Sequence, residues 1–125
     1  MRMILVEDDK FQAQAMKVAF EQENYTVVAL VHNGGEAVEV ITKEKPDFVV
    51  MDVVLPQMDG FKILKKLRET SAFRTMPIFL VTNRSTDEDE AFAKKLGANE
   101  YFIKSSIGLH DLVVACRALL KQNNA

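Results

Sequence analysis

Residues 48–52 read Phe48-Val49-Val50-Met51-Asp52, an uninterrupted apolar run that ends abruptly in a carboxylate. A strand whose side chains are apolar on both faces is expected to be buried by other elements on both faces, which is typical of the interior of a parallel sheet. Four further short runs have the same character, at residues 3–6, 26–31, 78–81 and 101–103. The sequence therefore predicts five buried strands.

The segments between these runs have helical periodicity, with apolar side chains recurring every three or four positions. They cover residues 10–22, 35–43, 60–69, 87–96 and 109–121. Buried strands that alternate with helices pair in parallel through crossover connections, and the helices cover both faces of the sheet. The pattern predicts a three-layer α/β sandwich built from five βα units.

Length and charge limit the classes of function. A chain of 125 residues with 48% hydrophobic content suits one ordinary domain, here residues 1–125. Its 16 basic and 18 acidic residues nearly cancel, so no global field favours direct nucleic-acid or membrane-surface binding. No apolar run approaches the roughly 20 residues of a membrane span. We expect a cytoplasmic protein that recognises its partners locally.

The single cysteine, Cys116, cannot form an internal disulfide, and it shows no metal-ligand spacing with His32 or His110. It falls in step with the apolar positions of the last predicted helix. We therefore interpret Cys116 as a core residue and expect neither a zinc site nor a redox function.

Polar residues are concentrated where the predicted strands end. In an open parallel sheet the ligand crevice lies outside the carboxyl ends of the strands. Several carboxylates in one crevice repel one another unless a cation lies among them, and oxygen ligands suit a hard ion such as Mg²⁺. The residues that follow the first, third, fourth and fifth strands are Glu7, Asp8 and Asp9, then Asp52, then Thr82 and Asn83, and finally Lys104.

These residue types together predict a phosphoryl site. Asp52 is the candidate nucleophile, whose carboxylate attacks phosphorus to give an aspartyl phosphate. Mg²⁺ held by Glu7 and Asp8 would neutralise the transferring group, while Thr82 and Lys104 would bind its oxygens. Each residue alone also fits a helix-capping or dipole-complementing role, but four strands ending in this way favour the phosphoryl site.

The same residues resemble the two-component response-regulator receiver family over the whole chain. Residues 4–9 (ILVEDD) resemble its acidic pocket motif, and residues 52–60 (DVVLPQMDG) resemble its phosphoacceptor segment. Thr82 matches the switch threonine of the family. Lys104, at the end of residues 97–104 (GANEYFIK), matches its invariant lysine.

The resemblance implies a flavodoxin-like fold with strand order 2-1-3-4-5. It also implies a Mg²⁺ site formed by Asp8, Asp52 and the backbone carbonyl of Val54, with Glu7 acting through water. Val54 is apolar, so only its main chain could serve. The implied activity is limited to self-phosphorylation and self-dephosphorylation at Asp52, so the chain would not be an enzyme with a separate substrate.

The resemblance further implies a switch and its partners. Thr82 would move toward the phosphoryl group and the ring of Tyr101 would follow, changing the face of the fourth helix, fifth strand and fifth helix. The phosphoryl donor would be a sensor histidine kinase or a histidine phosphotransfer protein, and the downstream target is an unknown protein. A homodimer through that face is left open, as is the choice between a stand-alone receiver and one domain of a longer protein.

Two positions depart from the family pattern. Receivers usually follow the lysine with a proline in a cis peptide, but Ser105 follows Lys104 here. A cis bond before serine costs about 2.5 to 4 kcal/mol, so we expect this loop to be trans and rearranged, or strained. The residue after Thr82 is commonly small, whereas this chain has Asn83 followed by Arg84.

Three alternatives remain at this level. A phosphatase or phosphotransferase of the aspartyl-phosphate type would need a second acid near the nucleophile, where this chain has Val54. A flavin-binding module would need a phosphate-cradling loop rich in Ser, Thr and Gly after the first strand, where this chain is acidic. A degenerate receiver that binds partners without phosphorylation would fit Asn83 and Ser105.

Overall fold

The computed structural model describes residues 1–84 and 86–123. The strands are β1 (Arg2–Val6), β2 (Thr26–Val31), β3 (Phe48–Met51), β4 (Ile78–Thr82) and β5 (Glu100–Ile103). The helices are α1 (Lys10–Glu21), α2 (Gly34–Glu44), α3 (Gly60–Glu69), α4 (Asp87–Leu96) and α5 (Leu109–Asn123). All ten predicted elements are present, and their ends move by one or two residues at most. Within the described residues, none of the helices is long and apolar enough to cross a membrane.

The five strands form one sheet in the order β2-β1-β3-β4-β5, and every adjacent pair is parallel. The predicted flavodoxin-like topology is therefore confirmed. β3 lies between β1 and β4, and the last residue of β3, Met51, pairs with Val6 on one side and Leu80 on the other. The residues that follow β1, β3 and β4 consequently emerge side by side at one edge of the sheet.

Separate apolar layers cover the two faces of the sheet. Alternation along β3 sends Val49 and Met51 into the layer beneath α2, α3 and α4, and Phe48 and Val50 into the layer beneath α1 and α5. All four side chains are essentially inaccessible to solvent. This is the covering on both faces that the apolar run predicts.

Cys116 lies in the second layer and is fully buried. Burial raises the pKa of its thiol to about 12, because the thiolate is poorly solvated there. We expect iodoacetamide at a pH near 8.5 to alkylate the native protein at least about a hundredfold more slowly than the urea-unfolded protein. Intact mass against time measures both rates. Equal rates would contradict the core interpretation of Cys116.

Candidate functional site

The three acidic residues in the loop after β1 have two different roles. Glu7 is almost fully buried, and its Oε2 accepts a hydrogen bond from the main-chain N–H of Asp9 at 3.1 Å. Asp8 is exposed at the edge of the sheet. The Asp9 side chain instead caps α1, accepting from the N–H groups of Phe11 at 2.9 Å and Gln12 at 3.0 Å. Glu7 and Asp8 thus belong to the site, and Asp9 belongs to the helix.

Asp52 lies at the centre of the edge and is only 7% exposed. Its main-chain N–H donates to the carbonyl of Val6 at 2.9 Å, which continues the β1–β3 pairing by one residue. Its carboxylate accepts the N–H of Val54 on Oδ1 at 3.0 Å and the ammonium of Lys104 on Oδ2 at 2.7 Å. The carboxylate is therefore held in one orientation from both sides.

Hydrogen bonds at the starts of α2 and α3 hold the segment that follows Asp52. The N–H of Gly34, at the start of α2, donates to the carbonyl of Pro56 at 2.9 Å. Asp59 caps α3 by accepting the N–H of Lys62 at 3.0 Å, and the N–H of Gly60 donates to the carbonyl of Val53 at 2.8 Å. Pro56, Asp59 and Gly60 therefore position the loop between Asp52 and α3.

Lys104 reaches the site although no proline follows it. It begins a single 3-10 turn, Lys104–Ser106, and its peptide bond to Ser105 is trans. Its Nζ donates to Oε1 of Glu7 and to Oδ2 of Asp52. Of the two expected loop conformations, the structure has the trans one, and the ammonium lies between two carboxylates.

Burial and charge act in opposite directions on this cluster. Burial raises the pKa of Glu7 above its ordinary value, and this outweighs the hydrogen bond and the positive charge of Lys104, which act to lower it. Burial acts to lower the pKa of Lys104, but the hydrogen bonds and negative charges of Asp52 and Glu7 outweigh it and raise that pKa. Lys104 therefore remains charged at neutral pH.

The geometry suits a divalent cation. Glu7, Asp8 and Asp52 each offer one carboxylate oxygen, and these three atoms lie within 4.8 Å of one another. All are hard oxygen donors, as Mg²⁺ prefers, and two are buried, so their mutual repulsion is only partly relieved by Lys104. Beside them is an open hollow of about 260 Å³, lined by Asp8, Asp52, Val54, Thr82, Asn83, Arg84 and Lys104.

Thr82 is connected to Tyr101 through the main chain of Arg84. Thr82 is fully buried at the end of β4, and its Oγ1 accepts the N–H of Arg84 at 3.2 Å. The hydroxyl of Tyr101 donates to the carbonyl of Arg84. Tyr101 lies in the apolar layer beneath α3 and α4. It therefore contacts the loop behind Thr82 and does not line the hollow.

The family model for the response regulator receiver domain matches residues 3–117 of this chain. The chain belongs to the response regulator receiver domain family. The family assignment made from the motifs is confirmed. Receiver domains of this family are phosphorylation-dependent signalling modules of two-component systems and are not classical enzymes.

Individual relatives agree with this assignment. The response regulator MprA of Mycobacterium ulcerans (strain Agy99) is 32% identical over 121 residues, which are 97% of this chain and 50% of that protein. A two-component response regulator from Clostridium difficile superimposes with a TM-score of 0.89 at 26% identity, covering 100% and 99% of the two chains. The BeF3-activated N-terminal receiver domain of Klebsiella pneumoniae RstA gives 0.81 at 29% identity, covering 96% and 97%. This receiver spans about half the length of the curated relatives it matches.

Sequence reasoning missed Arg68, a partly buried basic residue of this receiver. The guanidinium of Arg68, in α3, donates to the carbonyl of Gly97 at 3.0 and 2.8 Å, to the carbonyl of Phe73 at 2.6 Å and to Oδ1 of Asn99 at 2.9 Å. Burial lowers its pKa. Arg68 therefore joins α3 to the C-terminal end of α4 and to the residue that precedes β5. A basic residue near a helix end carries no sequence signal of such a role, because it is usually solvated.

Proposed function

We propose that this chain is a phosphorylation-dependent switch, in which Asp52 accepts a phosphoryl group from a sensor histidine kinase or a histidine phosphotransfer protein. Residues 1–125 would act as one receiver unit. The observation that carries the proposal is the Asp52 carboxylate, hydrogen-bonded by Lys104 at 2.7 Å and facing a hollow beside two further carboxylates. An aspartate with only a structural role at a strand end would not need a lysine and two further carboxylates around it.

The transfer step assigns a role to three side chains. A carboxylate oxygen of Asp52 attacks phosphorus, a phosphorus–oxygen bond forms, and the phosphorus–nitrogen bond of the phosphohistidine donor breaks. The ammonium of Lys104 and the hydroxyl of Thr82 bind oxygens of the phosphoryl group. In self-dephosphorylation, water attacks the same phosphorus and the Asp52 carboxylate is released. No separate substrate is turned over.

Asp8, Asp52 and the main-chain carbonyl of Val54 would hold Mg²⁺, with Glu7 acting through water. The three carboxylate oxygens within 4.8 Å of one another support this assignment. When bound, Mg²⁺ supplies positive charge that neutralises the oxygens of the transferring group. Lys104 alone cannot do so, because it is already shared by Glu7 and Asp52.

The output would pass through Thr82 and Tyr101. A shift of Thr82 toward the phosphoryl group moves the Arg84 main chain, which accepts the Tyr101 hydroxyl. The guanidinium of Arg84 forms an ion pair with Asp89 on α4 at 2.9 Å, so the same shift would also displace α4. We propose that the face of α4, β5 and α5 then binds a downstream protein, or a second copy of this chain. Sedimentation with and without beryllofluoride distinguishes the second copy.

The test is incubation with acetyl phosphate, with and without Mg²⁺, followed by intact mass measurement. We expect a Mg²⁺-dependent gain of one phosphoryl group that Asp52→Ala abolishes. Asp47→Ala is the matched control, because Asp47 is exposed and precedes β3, at the opposite end of the strand that leads to Asp52. It should be phosphorylated like the wild type.

Two results would overturn the proposal. A folded wild-type protein that gains no phosphoryl group, either from acetyl phosphate or from a phosphorylated histidine phosphotransfer protein, would identify a degenerate receiver. A phosphoryl group that persists in Asp52→Ala would place the acceptor elsewhere.

A further inference from the structure

One side-chain hydrogen bond joins the loops that follow β4 and β5. Oδ1 of Asn83 accepts the main-chain N–H of Ser105 at 2.9 Å. Asn83 directly follows Thr82, and Ser105 directly follows Lys104. The bond therefore ties together the two loops that carry the Thr82 hydroxyl and the Lys104 ammonium.

Apart from Ile107, which packs against the apolar layer beneath α1 and α5, the loop after Lys104 has little other support. Beside it, between α1 and α5, is an open pocket of about 410 Å³ whose lining includes the apolar side chains of Met16 and Leu112. Within residues 1–84 and 86–123, no other hydrogen bond joins the main chain of residues 105–108 to a part of the chain outside this loop and α5. Because an open pocket adjoins the loop and few hydrogen bonds hold its main chain, we expect the position of that main chain to depend on the bond from Asn83.

The chemistry of the bond fixes which group can make it. The main-chain N–H of Ser105 is a donor only, so the Asn83 atom that faces it is the amide oxygen. Alanine at position 83 has no acceptor there. Proline at position 105 would remove the donor, since proline has no main-chain N–H. The bond can thus be removed from either end.

We propose that Asn83 is a positioning residue for Lys104: by holding the Ser105 main chain, it keeps the Lys104 ammonium against Asp52. This inference rests on the proposed phosphoryl transfer to Asp52. Asn83 contacts no reacting atom in this role, and it acts only through the loop. A displacement of about 1 Å in a catalytic group can cost up to a hundredfold in rate, so a single lost tether has a measurable effect.

The first variant is Asn83→Ala, studied in the whole chain with acetyl phosphate and saturating Mg²⁺. We expect the maximal phosphorylation rate to fall about tenfold, while the midpoint of thermal unfolding changes by only a few degrees. The Ser105 amide should exchange with solvent faster in the same variant, as measured by ¹H–¹⁵N NMR. Thr42→Ala is the matched control, because it also removes one side-chain to main-chain hydrogen bond, from exposed Thr42 to the carbonyl of Val38 at 2.7 Å, and its phosphorylation rate should match that of the wild type.

The second variant, Ser105→Pro, completes a double-mutant cycle with Asn83→Ala. If Asn83 acts through the Ser105 N–H, then Asn83→Ala in the Ser105→Pro background should change the rate by less than about twofold, whatever the rate of that background. If Asn83 acts instead by its bulk beside the hollow, the tenfold effect should persist in that background, and the proposal is overturned.

The outcomes separate the two proposals. Wild-type phosphorylation together with an unchanged rate in Asn83→Ala would overturn the positioning role and leave the proposed function standing. A wild-type protein without phosphorylation would overturn both.

Discussion

Replacing Lys104 by methionine should lower the free energy of unfolding by about 3 kcal/mol in the absence of divalent cations. The Lys104 side chain is 18% exposed, and the side chains of its partners Glu7 and Asp52 are 3% and 8% exposed. Methionine fills similar volume but leaves two buried carboxylates with no counter-charge. The rate of phosphorylation should fall by about a hundredfold, because the ammonium that binds the phosphoryl oxygens is lost.

Urea unfolding in EDTA and in about 10 mM Mg²⁺ tests the electrostatic explanation, since a ligand of the native state stabilises it by mass action. Mg²⁺ should stabilise Lys104→Met more than it stabilises the wild type, because three carboxylates without a fixed cation attract the metal more strongly. Lys94→Met is the matched control, as Lys94 is 53% exposed with ion pairs of 3.6 and 3.7 Å. It should change stability by less than about 0.5 kcal/mol. Equal stabilisation of both Lys104 proteins by Mg²⁺ would contradict the explanation.

Gly60→Ala should have a comparable effect for a steric reason. A Cβ at this position would lie 2.5 Å from the carbonyl oxygen of Asp52 and 2.8 Å from Cα of Val53. Both atoms are main chain, so neither can turn aside, and α3 or the Asp52 segment must move. We expect a loss of about 2 kcal/mol in stability, since overpacking of this kind costs about 1 to 3 kcal/mol. Phosphorylation should slow by roughly a hundredfold, because the nucleophile itself is displaced.

Gly108→Ala controls for the substitution itself, since no atom beyond the adjoining residues of the chain lies within 4 Å of a Cβ at that position. Its stability should remain within about 0.5 kcal/mol of the wild type. The two variants can be compared by urea unfolding and by intact mass after acetyl phosphate treatment. Wild-type stability and rate in Gly60→Ala would show that the contact between α3 and Asp52 is not tight in solution.

Much of the candidate site could be anticipated because its chemistry lies at strand ends. Asp52 and Thr82 are near or at the ends of adjacent strands, so the parallel order that the apolar runs predict brings them together. Asp9 shows the limit of that reasoning. It follows the same strand as Glu7, yet its carboxylate caps α1, and the spacing alone does not distinguish a ligand from a cap.

By itself, the sequence determined the five βα units and the set of residues at one edge of the sheet, because both depend on local apolar patterning and on the alternation of strands and helices. The tertiary structure alone decided how those residues pair. The Lys104 ammonium joins Glu7 and Asp52, Asn83 holds Ser105, and Arg84 links Thr82 to Tyr101. Such contacts depend on loop paths and side-chain rotamers that bring distant parts of the chain within hydrogen-bonding distance, and no periodic pattern encodes those distances.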